Sequence, residues 1–239
     1  MTELLFRTDA YLCETTADVV AHTIEGGIIL DRSIFYPNSG GQPGDSGTIT
    51  WARGEINIAT TVKGEGDQIV LVPAEPRTLP PIGATVDTTL DWDRRFAHMR
   101  MHSALHLLSV ALPFGVTGGS VGAGRGRLDF DMEAAPENRN EIEEALNAFV
   151  SADMRISDEW ITEGELAQNP NMIKTLAVQP PRGSGYIRLV RIGDGIETID
   201  LQPCGGTHVL RTGEIGTLRI GKIEKKGRMN RRVYLYSDV

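Results

Sequence analysis

Short apolar runs punctuated by Gly, Asp and Pro fill the first part of the chain. Gly27-Ile28-Ile29-Leu30, Gly47-Thr48-Ile49-Thr50-Trp51 and Gln68-Ile69-Val70-Leu71-Val72 are three of them. Runs of this length bounded by turn residues read as strands, and several in succession predict a small β-barrel over residues 1–88. Thr78-Leu79-Pro80-Pro81-Ile82-Gly83 marks the approach to a boundary. Residues 89–239 then alternate helix and strand. The segment Asp91–Leu112 has helical character, with Asp91 as cap, Asp93 in the first turn and Pro113 as stop. Gly126–Asp131 reads as a strand. Pro136–Val150 reads as an amphipathic helix with Ile142, Leu146 and Val150 on one face. Strands follow at Tyr186–Val190 and Thr198–Leu201, and a final hairpin pairs Thr217–Ile223 with Arg232–Tyr236, turning near Lys226-Gly227. The pattern as a whole is α+β, a barrel followed by helices and a mostly antiparallel sheet. It contains neither an internal repeat nor a low-complexity tract.

Within this frame two short clusters carry candidate chemistry. Residues 102–106 read His102-Ser103-Ala104-Leu105-His106, and residues 204–208 read Cys204-Gly205-Gly206-Thr207-His208. Three imidazoles and one thiolate suit a tetrahedral zinc ion. Residues four apart on a helix share a face, so His102 and His106 point the same way. His98 and His102 are also four apart. All three cannot share one ion, because His98 and His106 are separated by about 12 Å along a helix axis. The pair is therefore His98/His102 or His102/His106, and spacing does not choose. The second cluster follows the strand-like Glu197–Leu201 and Pro203, and Gly205-Gly206 allow the backbone to curl so that Cys204 and His208 face one point. A histidine pair on a helix, or one cysteine, is by itself most often a coincidence of the surface or core. The two clusters together are not.

Composition narrows the class. A chain of 239 residues is long enough for one large or two small domains with a core. No apolar run is long enough to span a membrane, and Met1–Arg7 lacks a secretory signal, so the expected setting is cytoplasmic. Two cysteines in such different contexts, Cys13 and Cys204, argue against a disulfide. A net charge of −8 argues against general stickiness towards nucleic acid. Locally the balance reverses. Arg211, Arg219, Lys222, Lys225, Lys226, Arg228, Arg231 and Arg232 crowd the C-terminal strands against Glu214 and Glu224, which reads as a solvated face or a phosphate-contacting patch. Gly118–Gly124 follows a helix and precedes a strand, the reverse of a dinucleotide-binding fingerprint, and no Gly-Lys-Ser/Thr follows it. It reads as a flexible connection.

HSALHLL together with CGGTHVLRTGEIG resembles the editing domain of alanyl-tRNA synthetases and its free-standing relatives, the AlaX proteins. Asp91-Trp92-Asp93-Arg94-Arg95 and the stretch Phe35–Gly47, which contains SGGQPGDSG, extend the match. The resemblance runs from about residue 5 to the C-terminus with order preserved. It implies a small β-barrel domain (1–88) followed by an α/β tRNA-editing domain (89–239) with a zinc site. It implies Zn2+ ligands at His102, His106, Cys204 and His208, against His98. The implied reaction is hydrolysis of the ester joining a wrong amino acid to tRNA(Ala), serine first and glycine second.

Gln42, a neutral donor and acceptor in a glycine-rich loop, is expected beside the metal. Ser103 keeps a hydroxyl between the histidines, whereas Leu105 departs from the threonine often found there. Ser103 is thus the candidate for reading a serine hydroxyl, and Lys225, Lys226 and Arg228 for phosphate contact. No Glu lies inside HSALH, so a helix-borne general base is not offered, and no segment resembles an ATP-binding aminoacylation core. Two rival readings use the same residues: a zinc hydrolase of a small ester or amide, and a non-catalytic zinc-bearing tRNA-binding module.

Overall fold

Alternation of buried and exposed positions along its longer strands organises the first of two units. The computed structural model describes residues 2–176 and 185–238, which divide into the units Met1–Phe96 and Ala97–Val239. The first holds, in chain order, β1 (Glu3–Leu4), α1 (Leu5–Thr8), β2 (Glu14–His22), β3 (Ile28–Leu30), β4 (Arg32–Ser33), β5 (Gly47–Trp51), β6 (Gly54–Lys63), β7 (Ile69–Pro73) and β8 (Thr85–Leu90). Six of these strands close an antiparallel barrel in the order β2-β3-β7-β6-β5-β8, and closure leaves no unpaired sheet edge. Inward positions supply the core: Val19, Leu30, Ile49, Ile56, Ile58, Leu71 and Val86. The expected barrel is present. Strands β6 and β8 lay outside the expectation because Thr, Glu and Asp occupy their outward positions and dilute the apolar signal.

The loop Phe35–Gly47 lies on β6. Asn38 N donates to Thr61 O (2.8 Å), and Thr61 Oγ1 donates to Asp45 O (2.9 Å). A Cβ on Gly44 would meet Thr61 O at 2.0 Å, so this position requires glycine. Ser39 and Gln42 exchange backbone hydrogen bonds of 3.1 and 2.9 Å across Gly40 (φ +58) and Gly41 (φ +80). Two positive φ values in the centre of a two-residue turn are the type I′ signature. These glycines therefore build a tight turn. The Asp45 carboxylate ties the loop down. It accepts from Tyr36 N (2.6 Å) and from Arg95 Nε (2.9 Å), and Arg95 also donates to Ala10 O (2.9 Å) and Ile34 O (2.6 Å).

Helix α2 (Trp92–Ala111) leads into the second unit, which continues with β9 (Val116–Ser120), β10 (Arg125–Asp131), α3 (Arg139–Ser151), β11 (Ile156–Thr162), α4 (Glu163–Gln168), β12 (Tyr186–Ile192), β13 (Asp200–Pro203), β14 (Leu218–Gly227) and β15 (Asn230–Ser237). Its strands form two antiparallel sheets, β14-β15-β10-β9 and β11-β12-β13. Buried Met101 and Leu105 of α2 lie over Gly126 of β10, where a Cβ would come within 2.6 Å of the Met101 sulfur and 3.2 Å of Leu105. Gly126 thus lets helix and sheet approach closely, and Leu105 serves that packing. Helix α3 is capped by Asn138, whose side chain accepts from Asn140 N and Glu141 N. Asn147 then brackets the start of β14, donating to Leu218 O (2.8 Å) and accepting from Leu218 N (2.9 Å).

Two expectations change here. The glycine-rich connection is in part strand β9, where Gly118 and Gly119 face Asp129 and Leu128, whose side chains occupy the space a Cβ would take. The strand expected at Thr198–Leu201 is displaced to Asp200–Pro203 by a 3-10 turn at Gly195–Glu197.

Candidate metal centre

Helix α2 and the turn after β13 bring four donors together. His102, His106, Cys204 and His208 each offer one ligand atom, and these atoms lie within 4.8 Å of one another. The Cys204 sulfur is 3.3 Å from His208 Nε2 and 3.5 Å from His102 Nε2. Donors at about 2.0–2.3 Å from a tetrahedral ion stand roughly 3.3–3.8 Å apart, so the cluster could hold a metal ion. His98, one turn earlier on α2, is buried outside this group.

The turn brings Cys204 and His208 to one point, as its sequence suggested. Neither Gly205 nor Gly206 has a positive φ. Arg188 of β12 also holds the turn, donating from Nη1 to Cys204 O and Gly206 O, both at 3.0 Å, while Cys204 N donates to Arg188 O (3.1 Å).

At Cys204 and His208 electrostatics favour the forms a metal takes up. Burial alone would raise the Cys204 thiol, but the neighbouring His102 and His208 override it and hold the thiol well below its usual range. Burial, then the charge of His102, push His208 down to about 3, so that imidazole is neutral. Burial opposes a charge on His106 too, yet its hydrogen bond to Asp200, joined by the neighbouring Cys204, outweighs it and raises its pKa. A metal therefore competes with a proton there.

Around the donors lies a set of polar side chains that sequence reading had not assigned to the site. His106 Nδ1 is 2.8 Å from Asp200 Oδ2, and Lys174 Nζ donates to Asp200 Oδ1 at 2.5 Å. Gln202 Nε2 donates to Asp200 Oδ2 (2.8 Å) and Ser109 Oγ (3.3 Å). Asp200 and Gln202 are alternate residues of β13 and both are buried. A strand whose buried face is polar, placed directly before Cys204, was the available signal.

Ser103 is fully buried; its Oγ lies 3.2 Å from His208 Nδ1 and accepts from Val209 N (3.3 Å). Gln42, read from sequence as a loop residue near the site, is fully buried in the first unit.

The basic cluster near the C-terminus meets more acid than its sequence neighbourhood suggests. Lys222 and Lys226 both pair with Glu224 (2.5 and 2.8 Å), Arg232 with Asp129 (2.8 Å), Arg219 with Asp238 (2.9 Å) and Arg211 with Asp153 (2.7 Å). Arg231 donates to carbonyls, including Glu133 O and Gly227 O. Lys225 and Arg228 are exposed at the hairpin tip.

The chain is 34% identical over 244 residues to the Alanyl-tRNA editing protein AlaX-M of Methanosarcina acetivorans, covering 98% of each. This chain belongs to the AlaX-M family. The AlaX-M protein of Saccharolobus solfataricus is also 34% identical, with 98% of both chains covered. The Alanine--tRNA ligase of Pyrobaculum neutrophilum is 33% identical over 94% of this chain, which corresponds to 25% of that ligase.

Two family models fall on parts of this AlaX-M member. Residues 187–234 match the Threonyl and Alanyl tRNA synthetase second additional domain, which takes in Cys204 and His208. Residues 10–94, the barrel, match tRNA synthetases class II (A), in keeping with a synthetase resemblance that was expected from about residue 5 onward. No helix among the described residues is long and apolar enough to cross a membrane.

Proposed function

We propose that the chain is a trans-editing hydrolase that removes a wrongly attached amino acid from tRNA(Ala), with Ser-tRNA(Ala) the first substrate and Gly-tRNA(Ala) the second. One observation carries this reading: a three-imidazole, one-thiolate cluster in a chain that aligns end to end with alanyl-tRNA editing proteins. The need for such an enzyme is physical. A pocket shaped for alanine rejects glycine by only about 1–3 kcal/mol, the worth of one methyl group, and it excludes a hydroxyl-bearing isostere such as serine poorly. A second, hydrolytic site rechecks the product.

We assign the cluster to zinc, the ion that thiolate and imidazole at tetrahedral spacing fit best. Held by His102, His106, Cys204 and His208, it would supply positive charge able to orient the amino group or to acidify a nearby water. Four protein donors fill a tetrahedral shell, so the placing of ester and water falls to other side chains. Gln42 is assigned to that task because its amide both donates and accepts. Ser103 is assigned to reading the serine hydroxyl. With His208 binding metal through Nε2, its Nδ1–H and Val209 N both donate to Ser103 Oγ, which leaves the Ser103 O–H for one further acceptor. Lys225, Lys226 and Arg228 are assigned to phosphates of the acceptor end. In this division residues 1–88 are the barrel domain and 89–239 the editing domain of a cytoplasmic enzyme.

Single-turnover deacylation of Ser-tRNA(Ala), measured beside a simple serine ester, tests the reading. The tRNA ester should be cleaved with the higher kcat/KM. Equal values would favour a hydrolase of small esters. Binding of tRNA with hydrolysis at the uncatalysed rate would favour a non-catalytic module. Gln42→Ala should slow the reaction roughly tenfold, equivalent to about 1.4 kcal/mol of transition-state stabilisation, with zinc content and fold retained. An unchanged rate would return Gln42 to a purely structural place in its loop.

A further inference from the structure

We propose that Asp200, clamped by Lys174, is a positioning residue of the metal centre: it holds His106 in the tautomer whose Nε2 lone pair faces the other donors. This inference rests on the metal reading above and goes beyond the four ligands.

The carboxylate is only 2% exposed, and both its oxygens are engaged. Oδ1 accepts from Lys174 Nζ at 2.5 Å, and Oδ2 accepts from His106 Nδ1 and Gln202 Nε2, both at 2.8 Å. An ionised carboxylate only accepts, so the proton of the neutral His106 ring sits on Nδ1 and the lone pair on Nε2. The 3.2 Å approach of Gln202 Nε2 to His106 Nδ1 is then a contact without a shared proton, since both atoms are donors. The Gln202 amide hydrogens have acceptors in Asp200 Oδ2 and Ser109 Oγ.

Charge makes the arrangement specific. A buried carboxylate is costly unless its charge is met. Here it is met from one side by an ammonium and from the other by the ring of a candidate ligand. Lys174 lies just beyond the 3-10 turn Pro170–Met172, and its side chain is 27% exposed, so the clamp reaches the buried site from the surface. His208 provides the contrast, because its Nδ1 meets the neutral hydroxyl of Ser103 at 3.2 Å. Of these two imidazoles, His106 alone has an anion behind it. An outer carboxylate of this kind fixes ring orientation and strengthens the donor atom.

The test is zinc affinity by chelator competition, together with 15N NMR of the His106 ring in the metal-free protein at a pH above its raised pKa, where the ring is neutral. Asp200→Ala should weaken zinc binding about 10–100-fold, the range for such outer partners. It should also convert His106 from a single Nδ1–H tautomer to a mixture, which a merely structural role would not do. Lys174→Met leaves the carboxylate in place without its clamp and should give a smaller loss in the same direction. Lys174→Met also carries the test if Asp200→Ala does not fold. Wild-type zinc affinity in both variants overturns the inference while leaving the metal reading intact, and so does an unchanged His106 tautomer in Asp200→Ala. If the wild-type chain takes up no zinc, the metal reading fails and the inference falls with it.

Discussion

Asp45 in the first unit and Asp200 in the second are both carboxylates shut away from water, at 1% and 2% exposure, and both face a cationic side chain. Their uses differ because their partners differ. Asp45 meets Arg95, a planar fork that keeps its charge at any ordinary pH and cannot ligate a metal. Arg95 also donates to Ala10 O and Ile34 O, so the pair ties three stretches of backbone together. Asp200 meets Lys174 and His106. The imidazole has a second nitrogen on the far side of the ring, so the carboxylate can act through it on the candidate metal centre. A buried charge is a structural tie or a chemical lever according to whether its partner has another face to offer.

The comparison can be broken most forcefully at the barrel. Arg95→Met leaves Asp45 buried without its counter-charge and should cost about 3–5 kcal/mol of stability, read as a lower urea midpoint with zinc affinity unchanged. A wild-type midpoint would mean that the pair is not the tie described.

The second largest effect is expected at the cluster. Cys204→Ala removes a donor outright and should reduce zinc retention by more than the roughly 100-fold ceiling for an outer partner. His98→Ala should retain the metal. Full occupancy in a Cys204→Ala, His208→Ala double variant would remove these residues from the site.

Smaller and sharper is Ser103→Ala. Losing a hydroxyl that reads serine should narrow the serine-over-alanine ratio by about 1 kcal/mol, roughly fivefold, with tRNA affinity retained. An unchanged ratio would make Ser103 only the neutral counterpart of Asp200, a support for His208. The smallest effect should come from charges that water already screens. Neutralising Lys225, Lys226 and Arg228 should weaken tRNA binding alike for every aminoacyl group and reduce its salt slope by about one for each phosphate left without its cation. Lys226 should contribute least, since Glu224 already holds it at 2.8 Å. A wild-type slope would place the tRNA elsewhere.

Much of this was legible in the chain itself. Spacing placed His102 and His106 on one helix face and Cys204 beside His208, because helical period and a short turn are local properties. Apolar runs announced the barrel, and Asp91 and Pro113 bounded the long helix closely. Local signals failed where a residue's task is set by something distant in sequence. Gly118 and Gly119 joined a strand because Asp129 and Leu128 fill the space beside them. The turn at Gly205-Gly206 is also held by Arg188, a partner that local spacing did not reveal. The basic stretch has much of its charge met by Asp129, Asp153 and Asp238, which its own neighbourhood did not reveal.

By itself, then, the sequence determined the donor types, their pairwise spacing and the family. The choice of His106 over His98 was already implied by the family resemblance, but only the tertiary structure decided that Gln42 is buried and that Asp200 and Lys174 stand behind a candidate ligand. The reason is physical: periodicity fixes which side chains share a face, whereas the partners of a buried polar group are whichever groups the packing of distant segments brings within about 3 Å.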